Sequence, residues 1–161
     1  MSLYQLNKND FTFPPVDFAL NEPNGLLAIG GDLNPNRLIN AYSQGIFPWF
    51  SDGDPLMWWS PNPRAIINHC DLRINKTLRK FLKKAPYSVT LNTAFEHVIK
   101  QCAYAPFRKD GTWILPEMQA AYIKLHKLGI AHSIEIWEND NGDNLENNKN
   151  LVGGLYGVAI N

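Results

Sequence analysis

The strongest constraint on the fold of this chain is a change of character near Ala85-Pro86. Before this point proline, glycine and tryptophan break up the hydrophobic runs, as they do over residues 45–50 and 57–64. After it, hydrophobic residues recur with the periodicity of helices and strands. The sequence therefore predicts a loop-rich α/β domain over residues 1–85 and a more regular domain over residues 86–161.

Two helices are predicted in the first domain from the residues at their ends. Asn34 is a favourable N-cap, Pro35 suits the first helical position, and Gly45 lies just past the end. Asn75 is expected to cap a second helix. The apolar residues of this second helix are expected to face the protein interior: Leu78, Phe81 and Leu82.

The second domain is predicted to contain two helices and three strands. A strand over residues 88–91 precedes the capping box Thr93-Ala94-Phe95-Glu96, which opens a helix. Pro116 and Gly129 bracket an amphipathic helix, and strands over 131–137 and 151–160 follow. The order strand, helix, helix, strand, strand indicates an α+β fold. We expect the last strand to pair with a neighbouring chain at its open edge.

The amphipathic stripes name the expected core of the second domain. The first helix is predicted to bury one side, formed by Phe95, Val98, Ile99 and Cys102. The second is predicted to bury a stripe of Met118, Ala121, Tyr122, Leu125 and Leu128. The glycines of the last strand indicate a bulge or a close backbone approach: Gly153, Gly154 and Gly157.

Charge is balanced over the chain but not along it. Among the 161 residues, 15 basic side chains match 15 acidic ones, which argues against a protein coated all over with nucleic acid. The segment 73–84 nevertheless holds six basic residues and no acid. Such a segment either contacts phosphates or is a solvated helix face, and composition alone leaves both open.

Several classes of protein are excluded. The 2 cysteines form no C-x-x-C motif, so neither a disulfide scaffold nor a zinc ribbon is expected. No apolar run approaches the roughly 20 residues of a membrane span, and the N-terminus MSLYQLNKND has no apolar core. We therefore expect an intracellular protein without a membrane partner.

Candidate site residues are few. Four tryptophans lie outside periodic segments, where they either stack on bases or pin loops to the core: Trp49, Trp58, Trp59 and Trp113. Glu135 shares a strand face with Ser133, which suits a polar cleft, but a surface carboxylate is the simpler interpretation. The chain has neither a nucleophile elbow nor a Walker loop, so no motif here specifies an enzyme.

Several strings together nevertheless resemble one family. They are EPNGLLAIGGDL at 22–33, GIFPWF at 45–50, WWSPNPR at 58–64, GTWI at 111–114, HSIE at 132–135 and VGGLYGVA at 152–159. In this order they resemble the bacterial leucyl/phenylalanyl-tRNA–protein transferases, from about residue 3 to the last residue. The Asn- and Asp-rich stretch 138–150 is longer than the family pattern.

The resemblance implies an enzyme that transfers Leu or Phe from aminoacyl-tRNA to the α-amino group of a protein beginning with Lys or Arg. The product is an N-terminus read by the N-end rule degradation machinery of the cytoplasm. The resemblance also implies that the second domain is the first part of a GNAT-type acyltransferase domain, cut before its next strand and helix. No cofactor or metal is implied, since an aminoacyl ester is already activated.

The resemblance also assigns binding residues. Trp49 and Trp113 match positions around the 3′ adenosine of the tRNA, and Leu155 matches a pocket position for the transferred side chain. Five residues match the surface that contacts the tRNA backbone: Lys76, Arg79, Lys80, Lys83 and Lys84. The family's catalytic carboxylate and amide lie beyond residue 161, so we expect no catalytic residue in this chain and little or no transfer activity.

Two other functions stay open. A non-catalytic tRNA-binding module would keep the basic surface without the chemistry. An acetyl-CoA-dependent N-acyltransferase would share only the fold, and it would need a Gly-rich pyrophosphate loop at a helix start.

Overall fold

The computed structural model of the protein describes residues 3–104, 111–138 and 150–160. Within these residues it has an α+β architecture, as the sequence predicts, with two sheets and four α-helices. The first sheet has the order β1-β2-β4-β3 and contains β1 Tyr4–Leu6, β2 Leu26–Gly30, β3 Phe47–Pro48 and β4 Met57–Trp59. The second has the order β5-β6-β7 and contains β5 Tyr87–Leu91, β6 Ala131–Glu138 and β7 Asn150–Val158. The helices are α1 Pro35–Ser43, α2 Lys76–Leu82, α3 Phe95–Tyr104 and α4 Pro116–Lys127.

The first helix confirms its sequence signals. The side chain of Asn34 accepts a hydrogen bond from the Asn36 N–H at 3.0 Å, and Pro35 occupies the first turn. The chain leaves the helix through Gly45, whose φ of +73° favours glycine. Leu38 and Ala41 are fully buried and fix α1 on the core.

The guanidinium of Arg37, fully buried on α1, holds the N-terminal segment in place. It donates to the carbonyl oxygens of Asn7 and Asp10 at 2.7 and 2.8 Å, and its Nε pairs with Asp32 at 3.0 Å. The ring of Phe11 lies 5.2 Å from the guanidinium carbon. A buried cation is costly unless it is paired and hydrogen-bonded, and these contacts meet that requirement.

The tryptophan-rich stretch 57–59, interpreted above as non-periodic, is strand β4. It pairs with the buried run of β2 on one side and with β3 on the other, so sheet pairing outweighs the local proline and glycine punctuation. Trp58 is fully buried and donates from its indole nitrogen to the Gly30 carbonyl at 3.0 Å. This residue therefore pins the segment to the core, the second of the two roles considered for it.

The second helix begins where Asn75 predicts, but its apolar side is not buried. The Asn75 side chain accepts from the Leu78 N–H at 2.8 Å, which confirms the cap. Leu78, Phe81 and Leu82 are nevertheless 43%, 53% and 56% exposed, so the inward-facing prediction is wrong. The reason is that no residue of α2 is buried by any part of the chain that the structure describes.

The second half of the chain confirms the order strand, helix, helix, strand, strand. The helix predicted from the capping box begins at Phe95, and Phe95, Val98 and Ile99 are buried with Cys102 partly so. The helix that Pro116 opens buries Met118, Ala121, Tyr122 and Leu125. Leu128 lies past its last turn and is 60% exposed, so this end of the predicted stripe is wrong.

The glycines of β7 confirm both a close approach and a bulge. A Cβ on Gly154 would lie 3.0 Å from a methyl group of Val98 and 3.1 Å from the Ile134 carbonyl oxygen, so a larger residue here would require α3 or the sheet to shift by a few tenths of an ångström. The β6–β7 register shifts between Ile136 and Trp137, which leaves an extra residue in β7.

One hydrophobic core joins the two sheets. It runs from Leu27, Leu38 and Trp58 in the first half to Phe95 and Leu125 in the second. None of the helices in the described residues is long and apolar enough to cross a membrane. The Asn- and Asp-rich stretch 138–150 lies outside the described residues except at its two ends, where Glu138 closes β6 and Asn150 begins β7.

Candidate functional site

The basic side chains of the segment 73–84 are all exposed to solvent: Arg73, Lys76, Arg79, Lys80, Lys83 and Lys84. Lys76, Arg79, Lys80 and Lys83 recur at intervals of three and four residues, which aligns them on one side of α2 and its C-cap. No carboxylate in the described residues lies within ion-pairing distance of these cations, because the ion pair found there joins Arg37 and Asp32. We call the side of α2 that carries Lys76, Arg79, Lys80 and Lys83 the basic face of α2. It is therefore free to attract an anionic polymer.

Trp49 forms an exposed aromatic surface beside β3. Its ring is 47% exposed and leans on Trp59, with the ring centroids 5.5 Å apart and the planes at 58°. The Trp59 indole nitrogen donates to the Trp49 carbonyl at 2.7 Å, and the Trp49 N–H donates to Met57 at 3.1 Å. A ring fixed in this way loses little freedom when it stacks on a planar ligand.

Trp113 and Leu155, the other two aminoacyl-site residues predicted by resemblance, lie in the second half of the chain. Trp113 is partly buried against the core, just before α4. Leu155 lies on β7 opposite Ile134 and is 58% exposed. The ring contact of Trp49 in the described residues is with Trp59, and the shared role of Trp49, Trp113 and Leu155 stays a prediction.

A cluster of tyrosines lies between the two halves of the chain. The hydroxyls of Tyr42 on α1 and Tyr122 on α4 are hydrogen-bonded to each other, and the Tyr156 ring packs edge-on to Tyr122 at 5.5 Å. Burial raises the pKa of Tyr122 well above its ordinary value, and the adjacent Tyr42 raises it further. Burial also raises the pKa of Tyr42, so both phenols are neutral hydrogen-bonding groups at neutral pH.

Glu135 is not a surface carboxylate, contrary to the simpler sequence interpretation. It is fully buried on β6. Its carboxylate accepts hydrogen bonds from the hydroxyls of Ser133 and Thr90 at 2.5 Å and of Thr93 at 2.9 Å. The N–H groups of Thr93 and Ala94 also donate to it, at 3.4 and 3.3 Å.

These donors determine the charge of Glu135. Burial by itself raises the pKa of the carboxyl group, but the Ser133, Thr90 and Thr93 hydroxyls and the Ala94 N–H lower it more, to about 2. The carboxylate lies at the start of α3, where the helix dipole also favours a negative charge. Thr93, predicted to cap α3 within a capping box, instead donates its hydroxyl to Glu135.

Sequence reasoning missed this network because it interpreted Glu135 as a surface carboxylate. Ser133 and Glu135 point to the core, whereas Ile134 and Ile136 on the other face are 39% and 37% exposed. The available signal was the Thr-rich turn 90–93, whose hydroxyls supply the donors that a buried carboxylate requires.

Comparison with known proteins gives matches along most of the chain. A family model described as leucyl/phenylalanyl-tRNA protein transferase matches residues 66–161, and a model of the N-terminal domain of that transferase matches residues 31–62.

No group of three or more His, Cys, Asp or Glu residues that could hold a metal ion was found among the described residues.

Three relatives are each named leucyl/phenylalanyl-tRNA–protein transferase. The protein of Colwellia psychrerythraea is 67% identical over 159 residues, which covers 99% of this chain and 64% of that protein. The Enterobacter protein is 52% identical over 99% of this chain and 63% of its own length. The Shewanella woodyi protein is 52% identical over 98% and 63%. The chain thus spans a little under two thirds of the length of these relatives.

Proposed function

The chain belongs to the leucyl/phenylalanyl-tRNA protein transferase family, and we propose that it supplies the tRNA-binding part of such a transferase. The proposed reaction moves Leu or Phe from the 3′ end of an aminoacyl-tRNA to an acceptor protein that begins with Lys or Arg. The modified N-terminus would enter N-end rule degradation in the cytoplasm. The observation that carries the tRNA part of this proposal is the basic face of α2, whose cations have no carboxylate partner among the described residues.

The basic face supports contact with the tRNA backbone. Its cations are exposed and have no carboxylate partner in the part of the chain that the structure describes, so they lose little when they meet phosphates, and they release counterions from the nucleic acid. We assign backbone contacts to Lys76, Arg79, Lys80, Lys83 and Lys84. Because phosphates are found on every tRNA, this surface would give affinity without selecting the attached amino acid.

We assign the aminoacylated end of the tRNA to Trp49, Trp113 and Leu155. The ring of Trp49 is exposed and supported by Trp59, which suits stacking on the terminal adenine. Leu155 offers an exposed apolar side chain to the Leu or Phe side chain. These three roles follow from the resemblance to the family, and the exposure of Trp49 and Leu155 is compatible with them.

The proposed chemistry is aminolysis of an ester. The acceptor amine attacks the ester carbonyl carbon, a C–N bond forms, and the C–O bond to the ribose breaks. The tRNA hydroxyl leaves with the proton that the amine gives up, so no oxidant, nucleotide or cofactor is consumed. We assign no catalytic residue to these 161 residues and expect little or no transfer by this chain alone.

We further propose that residues 1–85 and 86–161 are separate domains, the second being the start of a GNAT-type fold.

The test of tRNA binding compares two double charge reversals. Lys80→Glu with Lys83→Glu removes two cations from the basic face, and Lys124→Glu with Lys127→Glu makes the same change in net charge on exposed positions of α4. The dissociation constant for leucyl-tRNA is measured by filter binding from 50 to 200 mM salt. We expect the α2 pair to weaken binding at least ~10-fold and to flatten the salt slope by about 2, and the α4 pair to change affinity less than ~2-fold.

The outcomes separate the candidate functions. Equal weakening by both pairs would refute the assignment of the basic face, since only net charge would then matter. Efficient transfer of Leu to an Arg-starting peptide would refute the absence of catalytic residues. Binding without transfer, even when the rest of a relative is supplied, would support the non-catalytic module. Acetyl-CoA binding in calorimetry would support the N-acyltransferase instead.

A further inference from the structure

Arg64 is an exposed cation that neighbouring segments of the chain hold in one place. Its Nη1 donates to the Gly45 carbonyl oxygen at 2.7 Å, and its guanidinium carbon lies 5.2 Å from the centre of the Phe47 ring. The group is also close enough to Tyr42 for its positive charge to oppose the rise that burial causes in the pKa of that phenol. The end of α1, the turn at Gly45 and β3 therefore fix the guanidinium at the surface.

These contacts orient Arg64 without cancelling its charge. None of the carboxylates in the described residues forms an ion pair with it, since the ion pair found there joins Arg37 and Asp32. Within the same residues its hydrogen bond is the one to Gly45, so most of its N–H donors remain available to a ligand. An oriented guanidinium of this kind binds an anion with little further loss of side-chain freedom.

Arg64 lies on the same side of the first sheet as the exposed Trp49 ring. Phe47 and Trp59 are directly opposite in the β3–β4 register, so their side chains project to one face of the sheet. Trp49 comes two residues after Phe47 and leans on Trp59, so it belongs to this face as well. The other face of the two strands is buried, which leaves the cation and the aromatic rings together on the accessible one.

An oriented cation beside exposed aromatic rings is a combination that binds single-stranded nucleic acid. The rings stack on bases, and the cation contacts the phosphodiesters that link successive nucleotides. Under the proposed function the terminal adenine stacks on Trp49, and one ribose separates that base from the nearest phosphodiester. The planar guanidinium of Arg64 suits this group, because its N–H groups match two phosphate oxygens at once.

We propose that Arg64 binds a phosphodiester of the single-stranded 3′ end of the tRNA, next to the adenosine that stacks on Trp49. This assignment rests on the proposed function, from which it takes the stacked adenosine. It adds a phosphate contact that is separate from the basic face of α2 and adjacent to the reacting ester. A contact at that place fixes the position of the aminoacylated end in addition to supplying affinity.

The experiment removes the charge from each partner in turn. One probe is an acceptor-stem minihelix RNA that ends in CCA, and the other is the same RNA with neutral methylphosphonates at the linkages within its CCA end. Dissociation constants for the parent and for Arg64→Ala are measured by fluorescence anisotropy at one salt concentration. We expect Arg64→Ala to weaken binding of the natural RNA ~10-fold and binding of the methylphosphonate RNA less than ~2-fold.

Two further variants control for net charge and for folding. Lys127→Ala removes one positive charge from an exposed position at the end of α4, and we expect it to weaken binding of either RNA less than ~2-fold. Arg64→Lys keeps the charge without the planar group, and we expect it to weaken binding of the natural RNA ~3-fold. Equal melting temperatures of the parent and the variants exclude misfolding, and Arg64→Lys replaces Arg64→Ala if that variant does not fold.

The outcomes separate this assignment from the proposed function. Binding of the natural RNA by the parent, with equal weakening of both RNAs by Arg64→Ala, would overturn the assignment alone and limit Arg64 to holding the turn at Gly45. A loss in Arg64→Ala no larger than that in Lys127→Ala would also overturn it. Failure of the parent to bind the natural RNA would overturn the proposed function and this assignment with it.

Discussion

Glu135 shows how a single carboxylate determines local geometry at the residue scale. It holds the start of α3 against β6 through two backbone N–H groups and fixes the turn after β5 through Thr90 and Thr93. The Trp137 indole nitrogen adds a hydrogen bond to Thr90 at 2.8 Å. The hydroxyl and N–H groups around the carboxylate therefore all donate to its negative charge. Neutralising Glu135 would leave these donors without an acceptor of equal strength.

Glu135→Gln is expected to destabilise the fold by about 1–3 kcal/mol, because the amide places an NH₂ group against hydroxyl and N–H donors. The measurement is urea unfolding at pH 7. Glu138→Gln on the exposed end of the same strand is the control and is expected to change stability by less than ~0.5 kcal/mol. Similar losses for the two variants would contradict the role given to Glu135.

The same group predicts the acid limit of stability. The pKa of Glu135 is about 2 in the folded protein against an ordinary value of 4.5, so the folded state favours the ionised form. Its contribution is complete above about pH 4.5 and is lost as the pH falls towards 2. The Glu135→Gln variant should therefore show a flatter decline in stability across this window than the parent.

At the scale of elements, α1 and α2 have the same kind of cap but different surroundings. Asn34 and Asn75 each accept a backbone N–H with their side chains. The first helix rests on the core through Leu38 and Ala41, whereas α2 has no buried residue. Cap energy therefore contributes to global stability in α1 and only to local order in α2.

Asn34→Ala is expected to lower the global free energy of unfolding by about 1 kcal/mol. Asn75→Ala is expected to leave the global value unchanged within ~0.5 kcal/mol and to speed amide hydrogen exchange in α2 alone. Urea unfolding and residue-resolved exchange by NMR test the pair. A global loss in Asn75→Ala equal to that in Asn34→Ala would mean that α2 is integral to the core.

The starts of three helices could be predicted from the sequence because they depend on neighbouring residues. Asn34, Asn75, Pro35 and Pro116 all act where the sequence predicts them to act. The buried face of β6 could not, since alternation shows two faces without showing which one meets α3 and α4. The family resemblance predicted the membership that the comparisons confirm, while the roles of Trp49, Trp113 and Leu155 stay predictions.

At the scale of the whole molecule, the two sheets share one core. Leu125 on α4 and Trp58 on β4 belong to the same cluster of buried residues, and the Tyr42–Tyr122 hydrogen bond joins α1 to α4. Elements that bury their apolar surface against one another tend to unfold together. A division into domains near residue 85 would then describe topology without giving two independent folding units.

Leu125→Ala is expected to destabilise the whole chain by about 2–5 kcal/mol, because it leaves a cavity in this shared core. Tryptophan fluorescence and far-UV circular dichroism should report one coincident urea transition in the parent and in the variant. Two separate transitions, with only one displaced by the substitution, would show that the halves unfold independently.

The buried side chain of Arg37 depends on the N-terminal segment of the chain for its hydrogen-bond acceptors. Its guanidinium N–H groups donate to the carbonyl oxygens of Asn7, Lys8 and Asp10. An aminopeptidase that trimmed the chain past Asp10 would therefore remove these carbonyl acceptors and leave the buried guanidinium with Asp32 as its hydrogen-bond partner. Removal of residues from this end should therefore destabilise the fold as a core substitution would. We expect aminopeptidase digestion to stop before Asn7 while the protein is folded.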